Sequence, residues 1–310
     1  MNMVSAKQQP TVISDTASLA AFCQRLSSEP FVTIDTEFLR DKTYWPVLCL
    51  VQLAGRDEAA AIDALAEGLD LKPLFDLLAN ESVIKVFHAA RQDVEIFVRM
   101  TGKVPTPLVD TQVVAMVCGF GDAASYETLA TKLAGARIDK SSRFTDWSHR
   151  PLTEKQLSYA LSDVTYLRTV YEKLHAKVEK SGRAHWVEDE LAILTDPNTY
   201  RANPENAWMR LKTRSDKPRF LAVLKEIAAW REREAQARDL PRNRLVKDET
   251  LLEIAAHPPK DVDALSRCRG LSRSFAEGKL GDGALAAVKR GLEIPESEAP
   301  RLDPRPDIPP

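Results

Sequence analysis

Two acidic side chains at a spacing of two residues are the first feature of this sequence that could do chemistry. They are Asp35 and Glu37 in the run Ile34-Asp35-Thr36-Glu37. On a β-strand, residues i and i+2 point to the same side, so both carboxylates would lie side by side at the end of a strand. Two like charges that close repel each other unless a cation lies between them, and hard oxygen ligands suit Mg²⁺ or Mn²⁺. Alone, the pair is more typical of two solvated acids at a strand end.

A second candidate is a tyrosine and an aspartate four residues apart, Tyr159 and Asp163, within a helical stretch. This spacing places the phenol and the carboxylate on one face of a helix. A third is Asp93, which follows an apolar strand and lies near a helix start, where the helix dipole favours an acid in any case. Each signal by itself is also typical of an ordinary surface residue.

The elements that would position these residues follow from the apolar pattern. Three closely spaced β-prone runs predict an antiparallel meander, and alternating strands and helices then lead into a mostly helical stretch from 112 to about 195. This order indicates an α/β domain with a mixed sheet flanked by helices. The predicted strands are 11–13, 31–34, 47–53, 59–62, 83–87 and 108–110, and the predicted helices include 16–26, 71–78 and 91–100.

Length and charge indicate two domains of different character. The 310 residues carry a formal net charge of −2, which excludes a protein that is basic throughout. Residues 1–200 contain 21 basic and 27 acidic side chains, whereas residues 201–292 contain 20 and 13. The second region therefore has the charge expected of a surface that binds phosphate backbones.

The cysteines and the apolar runs indicate the compartment. Cys23, Cys49, Cys118 and Cys268 lack the paired spacing of a zinc or redox site, and no run of 18 apolar residues occurs. No apolar signal segment stands at the N-terminus. We therefore expect a reduced, cytoplasmic protein that does not bind a membrane, and nothing in the sequence implies an obligate protein partner.

In combination, the three acidic signals are specific. The order Asp-x-Glu, then Asp, then Tyr-x3-Asp resembles the motifs of the tyrosine subclass of the DEDD exonuclease superfamily. The flanking sequence resembles the ribonuclease D family over nearly all of residues 10–200. The matching runs are TIDTEFLRDKTYWPVLCLVQLA (33–54), VFHAARQDVEIF (86–97), LVDTQVVAMVCGFG (108–121) and DWSHRPLTEKQLSYALSDVTYL (146–167).

The resemblance implies a ribonuclease H-like fold and hydrolysis of RNA from its 3′ end with two divalent cations, Mg²⁺ or Mn²⁺, releasing nucleoside 5′-monophosphates. By position in the motifs, Asp35, Glu37 and Asp163 would hold the cation beside the attacking water. Asp35 would also bridge to the second cation, and Asp93 would assist there through water. Tyr159 would orient the attacking water, because a phenol with an ordinary pKa of about 10 is a poor base.

Other polar and apolar residues near these motifs are weaker candidates for contact with RNA. Each also has an ordinary structural explanation. The apolar residues could belong to the core, the histidine could be a buried one with its hydrogen bonds satisfied, and the basic loop residues could simply be solvated. Asp110 is predicted to cap the helix that starts near Thr111 rather than to bind metal. The candidates for substrate binding are Phe38, Leu39, His88, Lys140 and Arg143.

The second half of the chain resembles an HRDC domain, a helical module that ribonuclease D shares with RecQ-type helicases. The resemblance lies in Trp230-Arg-Glu-Arg-Glu and in LPRNRLVKDETLLEIA (240–255). We expect an exonuclease domain over 1–200, a linker over 201–217, a helical HRDC domain over 218–292 and a disordered proline-rich acidic tail over 293–310.

Three functions fit these features. The first is a 3′-5′ exoribonuclease that trims tRNA precursors and other structured RNA 3′ ends. The second keeps the mechanism but acts on DNA, as a proofreading or RecQ-associated exonuclease. The third is an RNA-binding protein with an inactive nuclease fold, which the presence of all four carboxylates and the tyrosine disfavours.

Overall fold

The computed structural model describes residues 11–213 and 215–302 and divides into two compact units. The first unit comprises residues up to Leu39 and Pro46–Arg201. The second comprises Arg40–Trp45 and the chain from Ala202 onward. Within the described ranges, no helix has the length and apolar character needed to cross a bilayer.

One sheet of six strands forms the centre of the first unit over its described residues, in the order β1-β4-β3-β2-β5-β6. β2, β3 and β4 are antiparallel neighbours, whereas β1 pairs with β4, β5 with β2 and β6 with β5 in parallel. This arrangement confirms the predicted meander and the mixed α/β sheet. The strands are β1 (Val12–Ile13), β2 (Phe31–Leu39), β3 (Val47–Ala54), β4 (Ala59–Asp63), β5 (Ile84–Phe87) and β6 (Leu108–Asp110).

Helices cover this sheet, and their buried apolar side chains form its core with those of the strands. Short 3-10 turns, Lys140–Ser142 and Pro197–Tyr200, and a π-helical turn, Ala130–Ala134, connect them. The helices are α1 (Thr16–Leu26), α2 (Lys72–Leu78), α3 (Arg91–Thr101), α4 (Thr111–Val117), α5 (Tyr126–Leu129), α6 (Glu154–Ser181) and α7 (Ala184–Thr195).

The strand that carries the first two acids is longer than the prediction. The sequence predicts an apolar strand over 31–34 with the two acids at its end, but β2 continues to Leu39 because Phe38 and Leu39 still pair with Leu48 and Val47 of β3. A register shift between Glu37 and Phe38 interrupts the pairing. Asp35 and Glu37 therefore lie within a paired strand, where the backbone holds them more rigidly than a strand end would.

The second unit is helical, as predicted, and α8 packs against most of its elements. A 3-10 helix, Pro204–Arg210, precedes α8, and a 3-10 turn, Glu296–Glu298, follows α13. Part of the predicted tail, residues 303–310, lies outside the described residues. The helices are α8 (Pro218–Arg238), α9 (Arg242–Leu245), α10 (Asp248–Ala256), α11 (Val262–Ser266), α12 (Arg273–Ala276) and α13 (Lys279–Glu293).

The last helix of this unit begins earlier than its glycines suggest. The sequence predicts a helix from Leu285, yet α13 starts at Lys279 and includes Gly281 and Gly283. A Cβ atom on Gly283 would lie 2.5 Å from the indole nitrogen of Trp230 in α8. Glycine is needed there for close packing between α8 and α13, which outweighs its poor helix propensity.

Candidate active site

Asp35 and Glu37 project from the same face of β2. In the antiparallel pairing with β3, Asp35 lies opposite Gln52 and Glu37 opposite Leu50. Gln52 is fully buried, and its side-chain amide has no hydrogen-bond partner within the described part of the chain. The two carboxylates therefore stand on a rigid, largely desolvated support.

Helix α6 brings Tyr159 and Asp163 to the same place. Thr153 and Gln156 form a capping box that fixes where α6 begins, with Gln156 N donating to Thr153 Oγ1 at 3.2 Å. The hydroxyl of Thr33 in β2 donates to the carbonyl of Val164 at 2.8 Å. Arg168, one turn later, donates to the carbonyl of Phe31 at 3.2 Å. These bonds fix the position of α6 along β2.

Asp93 lies in the first turn of α3, as predicted, and is 7% exposed. It accepts a hydrogen bond from the hydroxyl of Thr36, the residue between the two acids of β2. The turn before α3 contains Ala89 in the left-handed region, with φ of 57°. The carboxylate of Asp110 accepts hydrogen bonds from the backbone of Ala89 at 2.9 Å and of Ala90 at 2.8 Å, which stabilises this strained turn.

One carboxylate oxygen from each of Asp35, Glu37 and Asp163 lies within 4.8 Å of the other two. Burial, and then the charge of Asp163, raises the pKa of Asp35 well above its usual value. Burial together with the neighbouring acids raises the pKa of Glu37 to about 10, and burial raises that of Asp163 to about 7. Asp93 has a raised pKa for the same two reasons, burial and the charge of Asp35.

This concentration of negative charge fits divalent cations. Buried carboxylates at such separations repel each other when ionised, and a hard cation between them removes that cost. The donor set is entirely oxygen, which suits Mg²⁺ or Mn²⁺ better than softer metals. The arrangement can therefore hold cations and place a phosphate group against them.

Tyr159 is part of the same cluster. Burial, followed by the charges of Asp163, Glu37 and Asp35, raises its pKa well above that of an ordinary phenol. A hydrogen bond joins Tyr159 to Asp163 and opposes the rise in the pKa of Asp163. The centroid of the Tyr159 ring lies 6.2 Å from that of the Trp147 ring, and Trp147 is 3% exposed. The phenol thus stays protonated at neutral pH and serves as a hydrogen-bond donor.

Comparison with known proteins places this site in a family. A model of 3′-5′ exonucleases matches residues 10–179, and a model of the HRDC domain matches residues 220–288. Ribonuclease D of Gluconacetobacter diazotrophicus is 56% identical over 292 residues, which cover 94% of this chain and 74% of the relative. The chain belongs to the ribonuclease D family. Ribonuclease D of Acidiphilium cryptum is 54% identical, over 96% of this chain and 76% of that relative.

A solved ribonuclease D supports both the fold and the activity. The crystal structure of Escherichia coli RNase D, described as an exoribonuclease involved in structured RNA processing, matches with a TM-score of 0.83 and 34% identity. The match covers 95% of this chain and 78% of that one. The protein is a 3′-5′ exoribonuclease, as the motifs predict, and the DNA exonuclease alternative is not favoured. Ribonuclease D belongs to the DEDD exonucleases, which use divalent metal ions.

The residues predicted to contact RNA in this ribonuclease D have different surroundings. Arg143 is exposed and lies near the acids, because its charge opposes the rise in the pKa of both Glu37 and Asp163. Lys140 forms an ion pair with Glu127. His88 Nδ1 lies 3.0 Å from the hydroxyl oxygen of Thr111.

The two predicted contacts on β2 are only partly buried. Phe38 packs against the main core of the first unit, and Leu39 packs in the cluster that includes Trp147 and Tyr159. This packing agrees with the alternative that the two residues belong to the core, although part of each side chain stays accessible.

Several residues at the site have no signal in the sequence motifs. Phe144 is 90% exposed, and its ring centroid lies 5.2 Å from the guanidinium carbon of Arg143. The hydroxyl of Tyr126 donates to the carbonyl of Ser162, next to Asp163, at 2.7 Å. Asp110 caps α4 as predicted, accepting from Gln112 N, but its bonds to the turn before α3 are an additional role. The bonds from Tyr126 to Ser162 and from the turn before α3 to Asp110 join segments far apart in sequence, so only the fold could reveal them.

Proposed function

We propose that this exoribonuclease shortens structured RNAs, tRNA precursors among them, one nucleotide at a time with two divalent cations, Mg²⁺ or Mn²⁺. The observation that carries the proposal is the group of three carboxylates within 4.8 Å, joined to a protonated tyrosine. The processing of structured RNA described for the E. coli relative supports this choice of substrate.

Asp35, Glu37 and Asp163 would hold one cation, and Asp35 and Asp93 would help to hold the second. When bound, the two cations supply Lewis-acid activation of a water and offset the charge that develops on the phosphate and the leaving oxygen. The protein's own contribution is to fix the carboxylates in place on β2, α3 and α6, so that the cations meet ligands that are already positioned.

The hydroxyl of Tyr159 donates to Asp163, so its oxygen would orient the attacking water toward the phosphorus by accepting a hydrogen bond from it. Its raised pKa excludes the phenolate as a base near neutral pH. Hydrogen bonding to Asp163 and packing near Trp147 limit the directions in which the hydroxyl can point. Orientation of this kind accelerates a reaction by holding the reacting atoms in line.

Arg143 and Phe144 would contact the RNA beside the carboxylates. A guanidinium close to an acidic site attracts the phosphates of the substrate, and a nearly fully exposed phenyl ring offers a surface on which a base can stack. Phe38, Leu39, His88 and Lys140 stay candidates for weaker contacts. Bases of any kind can stack, so these contacts suit an enzyme that removes successive nucleotides.

The proposal extends to the organisation and setting of the protein. We place the exonuclease domain at 1–200, the linker at 201–217, the HRDC domain at 218–292 and the proline-rich tail at 293–310. We also propose that the protein acts in the cytoplasm, does not bind a membrane and needs no obligate protein partner.

A time course on a tRNA with a 3′ trailer tests this function. With Mg²⁺ or Mn²⁺, we expect a ladder of products that shortens from the 3′ end and stops near the mature terminus, and with EDTA no ladder. A DNA oligonucleotide of matched sequence is the control and should be degraded much more slowly. Equal degradation of DNA, or products shortened from the 5′ end, would contradict the proposal.

A further inference from the structure

The second unit contains a cavity of about 380 Å³. This volume falls within the usual range for small-molecule sites and is sufficient for a nucleotide. Its walls come from the short segment Arg40–Trp45, from the 3-10 helix before α8, and from α8, α9 and the start of α10. None of the residues assigned to the catalytic cluster lines it.

Positive charge predominates around the cavity. Arg40, Arg210, Arg231 and Arg242 line it, together with a single acid, Asp248. Glu232 lies behind the wall, 1% exposed, and accepts from Arg210 at 3.2 Å and from Arg242 at 2.7 Å. Even without Arg40, the three guanidinium groups of Arg210, Arg231 and Arg242 outnumber the carboxylates of Asp248 and Glu232, and this excess of positive charge attracts an anion.

These guanidinium groups are held in place before any ligand arrives. The hydroxyl of Tyr44 accepts from Arg242 at 2.9 Å, and the guanidinium carbon of Arg242 lies 4.6 Å from the centre of the tyrosine ring. Arg231 donates to the carbonyl of Val246 and to Asp248, both at 2.7 Å. Donors that are already ordered bind an anion at a lower entropic cost.

One donor in the wall remains unsatisfied. Arg231 is 3% exposed, and its Nε has no hydrogen-bond partner among the residues that the structure describes. A buried N–H group without an acceptor is unfavourable, because it has lost its water and gained nothing in exchange. Arg231 itself lines the cavity, and its planar guanidinium matches the geometry of a phosphate.

We propose that this cavity is a subsite that binds a phosphate group of the RNA chain. The proposal rests on the function proposed above, since an exoribonuclease meets its substrate as a polyanion. A free nucleotide carries the same chemical group, so the test must distinguish the two sources. The polar side chain of Asn243, which also lines the cavity, would add a neutral donor to the arginines.

Arg210 provides the main test, and Arg233 provides its matched control. Both are about half exposed, both belong to the second unit, and both form an ion pair with a glutamate, but Arg233 does not line the cavity. We would measure the affinity of each variant for a labelled 16-nucleotide RNA in EDTA, at several KCl concentrations. Arg210→Ala should weaken binding at least about five-fold and lower the slope of log affinity against log salt by about one, as loss of one phosphate contact does. Arg233→Ala should stay within about two-fold of the wild type.

A second pair of variants adds a charge without removing an ion pair. Asn243 and Asn206 are both exposed in the second unit, and only Asn243 lines the cavity. Asn243→Glu should weaken RNA binding, whereas Asn206→Glu should not. If both members of each pair behave alike, the subsite is contradicted. It is also contradicted if the cavity variants weaken binding of AMP but leave RNA affinity unchanged, because the site would then serve a free nucleotide.

Hydrolysis separates this proposal from the function on which it rests. The wild-type protein is incubated with the same RNA and Mn²⁺ in parallel. Absence of shortened products would contradict the proposed function, whereas the affinities in EDTA decide the subsite independently of turnover.

Discussion

The hydroxyl of Thr33 donates a 2.8 Å hydrogen bond to the carbonyl of Val164, the residue after Asp163. Thr33 is two residues before Asp35 on β2 and is fully buried. Together with the bond from Arg168 to Phe31, this hydrogen bond couples the strand that presents two carboxylates to the helix that presents the third. Its loss should affect both the stability and the metal site.

We expect Thr33→Val to lower the free energy of unfolding by about 1 kcal/mol, because the shape is kept and one buried hydrogen bond is lost. Turnover should fall by about ten-fold and should need more metal, as when a group that orients a metal ligand is removed. Denaturant unfolding and a metal titration of RNA hydrolysis measure the two effects. Thr33→Ser keeps the hydroxyl and should restore most of the metal response; an unchanged metal requirement in Thr33→Val would contradict the coupling.

Removing a single ligand carboxylate should abolish turnover. Asp163→Asn keeps the volume of the side chain but removes its charge, and we expect a loss of about 10³-fold or more in the rate of RNA hydrolysis. RNA binding in EDTA should persist. Asp189→Asn, which changes an exposed acid of the same unit, is the control and should keep wild-type activity. Substantial activity in Asp163→Asn would remove Asp163 from the metal site.

Stability of the metal-free protein should fall as pH rises. The pKa of Asp163 is raised from an ordinary 3.8 to about 7. Between these values the unfolded chain has released a proton that the folded protein still holds, so the free energy of unfolding decreases with pH. The part due to Asp163 is fully lost above about pH 7, whereas Glu37, with a pKa of about 10, extends the loss to higher pH. Denaturant unfolding at several pH values in EDTA should show this slope, reduced in Asp163→Asn but not in Asp189→Asn.

Divalent metal should reverse that loss, since it binds the ionised carboxylates. Mg²⁺ or Mn²⁺ should therefore raise the Tm more at pH 8 than at pH 5. An equal rise at both pH values would show that the metal does not act through these buried acids.

Tyr159→Phe should slow hydrolysis by about 10²-fold while the metal requirement stays close to that of the wild type. The variant keeps the ring beside Trp147 but removes the hydrogen bond to the water and to Asp163. Because the raised pKa of Tyr159 keeps the phenol protonated, no decrease in the wild-type rate from phenol ionisation is expected up to about pH 10. Wild-type turnover in Tyr159→Phe would contradict its orienting role.

Phe144→Ala should raise KM for RNA by about five-fold or more with little change in kcat, because base stacking contributes to binding rather than to the chemical step. Phe144→Tyr keeps a ring and should behave as the wild type. Since Phe144 is 90% exposed, neither change should alter the free energy of unfolding. Equal KM values for the two variants would exclude stacking at this position.

The five residues proposed as catalytic could be singled out from the sequence because each belongs to a short motif in a recognisable order, and the structure places them near one another. Their environment could not. Acidic residues are rare in strands, so local propensity places the two acids at the end of β2, whereas pairing with Val47 and Leu48 extends the strand to Leu39. The bond from Thr36 to Asp93 joins residues 57 positions apart. No local pattern encodes such a contact, and the same holds for Tyr44, which is 188 residues from its partner Glu232.

Asp110 bears on how any survey of acidic residues in this enzyme is interpreted. Its two oxygens accept from the backbone of Ala89, Ala90 and Gln112, so one side chain organises the starts of two helices. Replacing it would displace Asp93 and abolish activity, as replacing a metal ligand does, although Asp110 is not in the carboxylate group that could hold the ion. Inactivity alone would thus wrongly identify Asp110 as a metal ligand. Asp110→Asn retains one acceptor oxygen and should recover part of the rate, whereas the same change at a true metal ligand should not.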